Sequence, residues 1–109
     1  MVDIDTVRKL ALSFPETIEQ DHWGKPSFRV KKKIFATLWP IEKRAVLKLS
    51  LVDQSVFTEY NPEIFHPIDN AWGKQGWTFV ELKKVRKDMF KDALNLAWNE
   101  VAPKSLLKS

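Results

Sequence analysis

The sequence predicts an α+β domain of two layers, in which helices pack on one face of an antiparallel sheet. Three features predict it: a helical apolar stripe at each end of the chain, alternating apolar and polar residues between them, and short polar turns that separate the alternating segments. The expected order of elements is α-β(3)-α-β(2)-α. Residues 1–109 form one domain, because no linker, repeat or low-complexity segment divides them.

The first and last helices are predicted from apolar residues that recur every three or four positions. The first has Asp3 as its N-cap and ends before Pro15, and the last ends before Pro103. Their stripes are Ile4, Val7, Leu10, Ala11 and Phe14 at the start of the chain and Met89, Phe90, Ala93, Leu94, Ala97, Trp98 and Val101 at its end.

A short helix is also predicted in the middle of the chain. Ser50, followed three residues later by Asp53, resembles a capping box at a helix start. Val52, Val56 and Tyr60 then recur with helical spacing.

The strands are predicted from a period of two within residues 17–49, which is typical of strands with one buried face. Three strands are expected there, separated by turns at residues 31–33 and 40–43, and two more at residues 65–68 and 76–82. In the second strand of the three, the residues expected to pack under the helices are Ile34, Ala36 and Leu38. Those expected on the opposite, open face are Phe35, Thr37 and Trp39.

Composition excludes several classes of protein. The chain has no cysteine, which excludes a disulfide framework, a thiolate nucleophile and a zinc finger. It has no apolar run of the roughly 20 residues that a membrane span requires, and its first residues lack the pattern of an export signal. We therefore expect a cytoplasmic monomer that does not associate with membranes. Its net charge of +4 is compatible with a polyanionic partner.

The most distinctive segment is residues 71–78, which we call the Trp/Gly loop. It contains Trp72 and Trp77 together with Gly73 and Gly76, around Lys74. Glycine allows turns that a side chain would forbid, and tryptophan offers a broad ring with one polar N–H group. This combination favours a shaped contact surface.

Several strings in the chain together resemble the MmcQ/YjbR family. They are residues 24–30 (GKPSFRV), 33–36 (KIFA), 44–48 (RAVLK), 72–78 (WGKQGWT) and 93–98 (ALNLAW), which extend over nearly the whole chain. The resemblance implies a compact α+β domain of the CyaY-like or secretion-chaperone-like kind, with a DNA-binding label. It implies no catalytic motif that could be assigned residue by residue.

The leading functional prediction is a binding protein without enzymatic activity, with nucleic acid as its ligand. An open sheet face that bears aromatic and basic side chains suits stacking on nucleobases and pairing with phosphates. The residues predicted to meet phosphates are Arg29, Arg44, Lys48 and Lys74, and those predicted to pack against bases are Trp39, Trp72 and Trp77.

Two alternatives remain open at this point. A small-molecule or peptide-binding module would use the Trp/Gly loop as the wall of its pocket. The Trp/Gly loop could equally fold back, so that its rings cover the open face as a second small core.

Catalysis and metal binding have weaker support in the sequence. His22 beside Asp21 is the stronger of two candidate general bases, the other being His66. Ser27, Thr37 and Thr78 are conceivable nucleophiles, but no spacing links them to a histidine. The carboxylates that could hold a hard cation, Glu16, Glu19 and Asp21, are better explained as a solvated acidic edge. We therefore expect neither a metal nor a cofactor.

Overall fold

The computed structural model describes residues 1–107. Its helices are α1 (Ile4–Leu12), α2 (Leu51–Tyr60), α3 (Lys87–Val101) and α4 (Lys104–Leu107), with a 3-10 turn at Gly73–Gln75. Its strands are β1 (Thr17–His22), β2 (Lys25–Val30), β3 (Lys33–Trp39), β4 (Arg44–Lys48), β5 (Phe65–Pro67) and β6 (Trp77–Glu81).

All six strands form one antiparallel sheet in the order β1-β2-β3-β4-β6-β5. The predicted fold class is confirmed, with one strand more than the expected three before α2. The additional strand is β1, which lies at the sheet edge and has four exposed residues between two half-buried ones. An edge strand with so little burial carries only a weak alternating pattern, which explains why the sequence did not predict it clearly.

The helices pack on one face of the sheet, which we call the helix face. Helix α3 crosses β3 and β4, α1 lies against β1, and α2 packs beside β5. The core includes large side chains with no exposed surface, among them Phe28, Leu38, Leu47, Phe90 and Leu94. One continuous core of this kind gives the single domain its stability.

Strand β3 contains a bulge, which places two of its side chains on the sheet face opposite to the predicted one. Phe28 pairs with Ala36 whereas Arg29 pairs with Ile34, so Phe35 is an additional residue opposite this step. Phe35 consequently joins Ala36 on the helix face and is fully buried, with its ring edge-on to Phe14 at 6.3 Å. The predicted positions of Ile34 and Phe35 were therefore wrong, while those of Ala36, Thr37, Leu38 and Trp39 are correct.

Two hairpins turn through residues with left-handed backbone. In the β1–β2 turn Trp23 and Gly24 have φ of 56° and 83°, and in the β2–β3 turn Lys31 and Lys32 have φ of 49° and 71°. Two consecutive left-handed residues match the right-handed twist of the flanking strands. Gly24 adopts this conformation without strain, but Trp23 is a bulky side chain at a position that usually excludes one.

The helix starts follow the sequence signals. The Asp3 carboxylate accepts a hydrogen bond from the Thr6 N–H at 2.7 Å, and hydrogen bonding by the Thr6 side chain, followed by that of the Thr6 backbone, lowers the pKa of Asp3. The Ser50 hydroxyl accepts one from the Asp53 N–H at 3.0 Å and caps α2. Across residues 1–107, no helix is both long enough and apolar enough to cross a bilayer.

Candidate ligand-binding groove

The open face of the sheet carries a groove of about 440 Å³. Side chains of the central strands form its floor, one wall is the β1–β2 hairpin, and the opposite wall is the chain around the Trp/Gly loop. The residues lining it are His22, Trp23, Lys25, Ile34, Thr37, Trp39, Val46, Ile68, Trp72 and Trp77. Four of the five tryptophans of the chain therefore surround one cavity.

The Trp/Gly loop is fixed by a buried polar anchor in α2. The Gln54 side-chain amide donates to the Gly73 carbonyl oxygen at 2.9 Å and lies 3.1 Å from the Thr78 hydroxyl. Gln54 and Thr78 are both buried, so these bonds form in a poorly solvated environment. They hold the loop in one conformation relative to the sheet.

The two glycines of the Trp/Gly loop have steric reasons to be glycine. A Cβ at Gly73 would overlap the Ile68 carbonyl oxygen, and one at Gly76 would overlap that of Leu49. Gly76 also has φ of 106°. Because these two residues have no side chain, the loop can lie close to the backbone at Ile68 and Leu49 and fold back toward the open face.

The aromatic rings of the groove differ in exposure. Trp39 and Trp77 are half-buried in the floor, and the Trp39 ring meets Phe79 edge-on at 5.1 Å. Trp72 is 58% exposed and Trp23 is 89% exposed, one on each wall. The loop thus does fold back, but it leaves a cavity between the walls instead of closing into a second core.

One basic side chain points into this aromatic cavity. The Lys25 ammonium lies 4.8 Å from the centre of the Trp39 ring, in a cation–π contact. Within residues 1–107 no carboxylate pairs with Lys25. The groove therefore combines apolar rings with a single cation that has no anionic partner among the described residues.

Arg29 lies beside the groove and is partly engaged by its neighbours. Its Nε donates to the Ser27 hydroxyl at 3.1 Å, and its Nη2 lies 3.4 Å from His22 Nδ1. Because the guanidinium is only a donor, a hydrogen bond between the two side chains requires His22 Nδ1 to be the acceptor. Arg29 therefore orients the His22 ring, which lines the groove.

Three of the bases predicted to meet phosphates lie outside the groove. The Arg44 guanidinium pairs with Glu81 at 2.8 Å and covers the Phe79 ring. Lys48 lies 4.0 Å from Glu100, and Lys74 lines a separate shallow depression that includes Gln54. The structure thus brings together the three predicted tryptophans, but not the predicted cations.

The carboxylates considered for metal binding are dispersed. Of the residues considered for catalysis, His22 and Thr37 both line the groove, and Arg29 contacts both His22 and Ser27. Glu16 pairs with Lys31 and Glu19 pairs with Arg8, while Asp21 accepts from the Gly24 N–H. Successive residues of a strand point to opposite faces, so Asp21 and His22 do not form a pair. Among the described residues, no three potential metal ligands come together.

Sequence reasoning missed part of the groove and one polar cluster. Lys25, Ile34 and Ile68 line the groove, and the signal for Lys25 was its place beside Trp23 and Gly24 at a hairpin turn. The missed cluster joins strands far apart in the chain: the Glu81 carboxylate also accepts from His66 Nε2 at 2.8 Å. Such long-range pairs leave no spacing pattern in a sequence.

Comparison with known proteins finds a solved structure with a similar fold. The crystal structure of the Deinococcus radiodurans protein DR2400, with a DUF419 family domain, is similar to 90% of this chain. The TM-score is 0.79 at 19% identity, and the match covers 77% of the other chain, so the likeness concerns the fold alone. No curated protein matches the chain significantly.

The family follows from the sequence match. The sequence model of the YjbR family matches residues 12–100, which include every strand and most of α3. The chain therefore belongs to the YjbR family, as the strings in its sequence indicated.

Proposed function

We propose that this YjbR domain is a non-catalytic binding protein whose groove holds a flat apolar or aromatic group with an anionic substituent. The ligand is a small molecule or an aromatic side chain of a peptide. The observation that carries the proposal is the grouping of four tryptophans around one cavity, together with Lys25, which pairs with no carboxylate among residues 1–107.

The size and chemistry of the groove support this ligand class. A volume of about 440 Å³ lies within the range of roughly 300 to 1,000 Å³ that is usual for small-molecule sites. Tryptophan rings offer large, rigid contact areas, and exposed rings such as those of Trp23 and Trp72 gain most when a ligand covers them.

The charges of the groove favour one anionic group on the ligand. The Lys25 ammonium is held over the Trp39 ring, where an anion would find it without displacing a protein carboxylate. Two other bases of the open face, Arg44 and Lys48, already have carboxylate neighbours, whereas Arg29 contacts Ser27 and His22. A polyanion would have to compete with these pairs.

The test is a calorimetric titration with 2-naphthoate and with its uncharged analogue 2-naphthalenemethanol. Both compounds should bind wild type, and Trp72→Ala should weaken both by about 1 to 3 kcal/mol through lost stacking. Lys25→Met should weaken naphthoate about two- to fivefold and leave the alcohol unchanged, because a partly exposed ion pair is worth less than about 1 kcal/mol.

Lys9→Met is the matched control, since Lys9 is an exposed lysine on α1, on the other side of the sheet. It should leave both affinities unchanged. The proposal would be abandoned if neither compound bound wild type, or if Trp72→Ala bound both as tightly as wild type does.

Nucleic acid is the second candidate, favoured by the two exposed rings, by Arg29 beside the groove and by the net charge of +4. The dependence of affinity on salt concentration distinguishes it from the first candidate. If around four phosphates were contacted, affinity for an oligonucleotide would fall by roughly two orders of magnitude between 50 and 200 mM salt. The affinity for a singly charged ligand would fall far less over the same range of salt concentration.

Two variants separate the electrostatic contribution to nucleic-acid binding from the stacking contribution. Arg44→Ala should reduce the salt slope by about one unit, and Trp77→Ala should weaken binding by about 1 to 3 kcal/mol with the slope unchanged. No binding of a single-stranded or duplex oligonucleotide at low salt would remove this candidate and leave the first intact.

A further inference from the structure

The outer side of α2 exposes apolar residues that the core does not use. Gln54 and Phe57 face inward and are buried, whereas Val52 is 73%, Val56 58% and Tyr60 60% exposed. These three residues are four positions apart, so they lie on one side of the helix. We call them the α2 outer stripe. The sequence pattern that predicted α2 is thus a solvent-facing stripe and not a core one.

The segment of the chain that contains this stripe is acidic. Residues 49–73 contain four acidic residues and no lysine or arginine, so the rest of the chain has eighteen bases and ten acids. The four are Asp53, Glu59, Glu63 and Asp69. Within residues 1–107 none of them forms an ion pair. The exposed helical stripe thus lies within an acidic segment of a basic protein.

Glu59 connects these two features. It lies three positions after Val56 and seven after Val52, which places it on the same side of α2, and it is exposed. A carboxylate there disfavours a purely apolar partner, and it disfavours a second copy of the same stripe because two copies would bring like charges together. It favours a partner that offers a cation beside an apolar surface.

We propose that the α2 outer stripe is a docking surface for a basic amphipathic helix of another protein. The partner would lay its apolar residues along Val52, Val56 and Tyr60, with its lysines or arginines directed at Glu59 and the neighbouring acids. This surface is separate from the groove, because α2 packs on the helix face of the sheet and the groove lies on the open face.

The test uses a labelled peptide of about 18 residues with leucine and lysine in helical spacing, a length at which an isolated helix can form. Fluorescence anisotropy measures its binding to the full chain. The double variant Val52→Ser, Val56→Ser should weaken binding by about tenfold or more, because it removes the apolar contacts. Glu59→Gln should weaken it about two- to fivefold at low salt and less at high salt.

Matched controls come from the β3–β4 turn, which lies away from α2. Ile41 is an exposed apolar residue and Glu42 an exposed acidic one, so Ile41→Ser and Glu42→Gln should leave binding unchanged. Circular dichroism checks folding. If the serine variant did not fold, the comparison of Glu59→Gln with Glu42→Gln would carry the test.

Several outcomes would overturn the proposal. They are failure of the peptide to bind wild type, equal binding of a peptide with glutamate in place of lysine, and equal binding to the double serine variant. Sedimentation that showed a wild-type dimer lost in the double serine variant would assign the stripe to a second copy of this chain instead.

Discussion

The two faces of the sheet are formed by the same strands but differ in how fully their side chains are buried. On the helix face, side chains such as Phe28, Phe35 and Leu47 are completely buried under α1 and α3. On the open face, Trp39 and Trp77 remain half-buried and line the groove. One face is closed by packing, and the other holds a cavity with aromatic walls.

This difference shows how the domain separates stability from binding. Burial of the helix face supplies the favourable free energy of folding, so the open face need not be packed to the same density. The groove is kept open by features that act on the loops: the left-handed β1–β2 turn, the close approach of Gly73 and Gly76, and the Gln54 anchor. Substitutions on the two faces should therefore have different effects.

The largest difference is expected at the β3 bulge. Phe35→Ala should destabilise the protein by about 3 to 5 kcal/mol, because it leaves a cavity beneath the Phe14 ring. Ile34→Ala should cost only about 1 kcal/mol, since Ile34 is a partly exposed residue of the groove. Urea unfolding measures both. The reverse order would mean that β3 follows simple alternation without the bulge.

A smaller loss of stability is expected from alanine substitutions at the glycines in the two walls of the groove. Gly76→Ala should cost more than about 2 kcal/mol, because the new Cβ would overlap the Leu49 carbonyl oxygen in addition to the strain of a positive φ. Gly24→Ala should cost about 1 kcal/mol, since its Cβ would point into open space and only the left-handed backbone is unfavourable. Equal costs would show that the Trp/Gly loop does not lie against the backbone at Leu49.

Gln54 tests whether α2 fixes the Trp/Gly loop. Gln54→Ala should destabilise the protein by about 1 to 3 kcal/mol, because the Gly73 carbonyl oxygen and the Thr78 hydroxyl lose a buried donor. Backbone amide exchange in residues 71–78 should accelerate in this variant, while exchange in β2 and β3 stays close to that of wild type. Unchanged exchange in the loop would assign its order to the glycine contacts alone.

The smallest effect on stability is expected at the exposed rings of the groove. Trp72→Ala and Trp23→Ala should change the free energy of unfolding by no more than about 0.5 kcal/mol, because these rings are largely in solvent. They should nevertheless weaken binding of 2-naphthoate. Destabilisation comparable to that of Phe35→Ala would show instead that the rings belong to a second core.

The sequence predicted the architecture well because the main elements carry strong periodic signals. The stripes of α1 and α3, the Ser50 cap of α2 and the turns between strands are all local patterns, and the structure confirms them. The bulge at Phe35 could not be predicted, because it depends on the pairing of β3 with β2. The side of α2 that packs on the core could not be predicted either, because the spacing of its apolar residues is the same whether they are buried or exposed.

The site was only partly predictable for a similar reason. Composition marked Trp39, Trp72 and Trp77 as residues without a clear core role, and the structure places all three around one cavity. The sequence could not show that Arg44 pairs with Glu81 on a neighbouring strand, or that Lys74 lies at another surface. Both depend on the fold and not on local spacing.

The most direct test of the central claim uses the indole N–H signals of the five tryptophans in a proton–nitrogen correlation spectrum. Trp98 is 5% exposed in the core on the helix face and serves as an internal reference, whereas the other four line the groove. Titration with 2-naphthoate should shift the signals of Trp23, Trp39, Trp72 and Trp77 along one saturable curve and leave that of Trp98 in place. Shifts confined to Trp98, equal shifts of all five, or no shift of the four would contradict a ligand site on the open face.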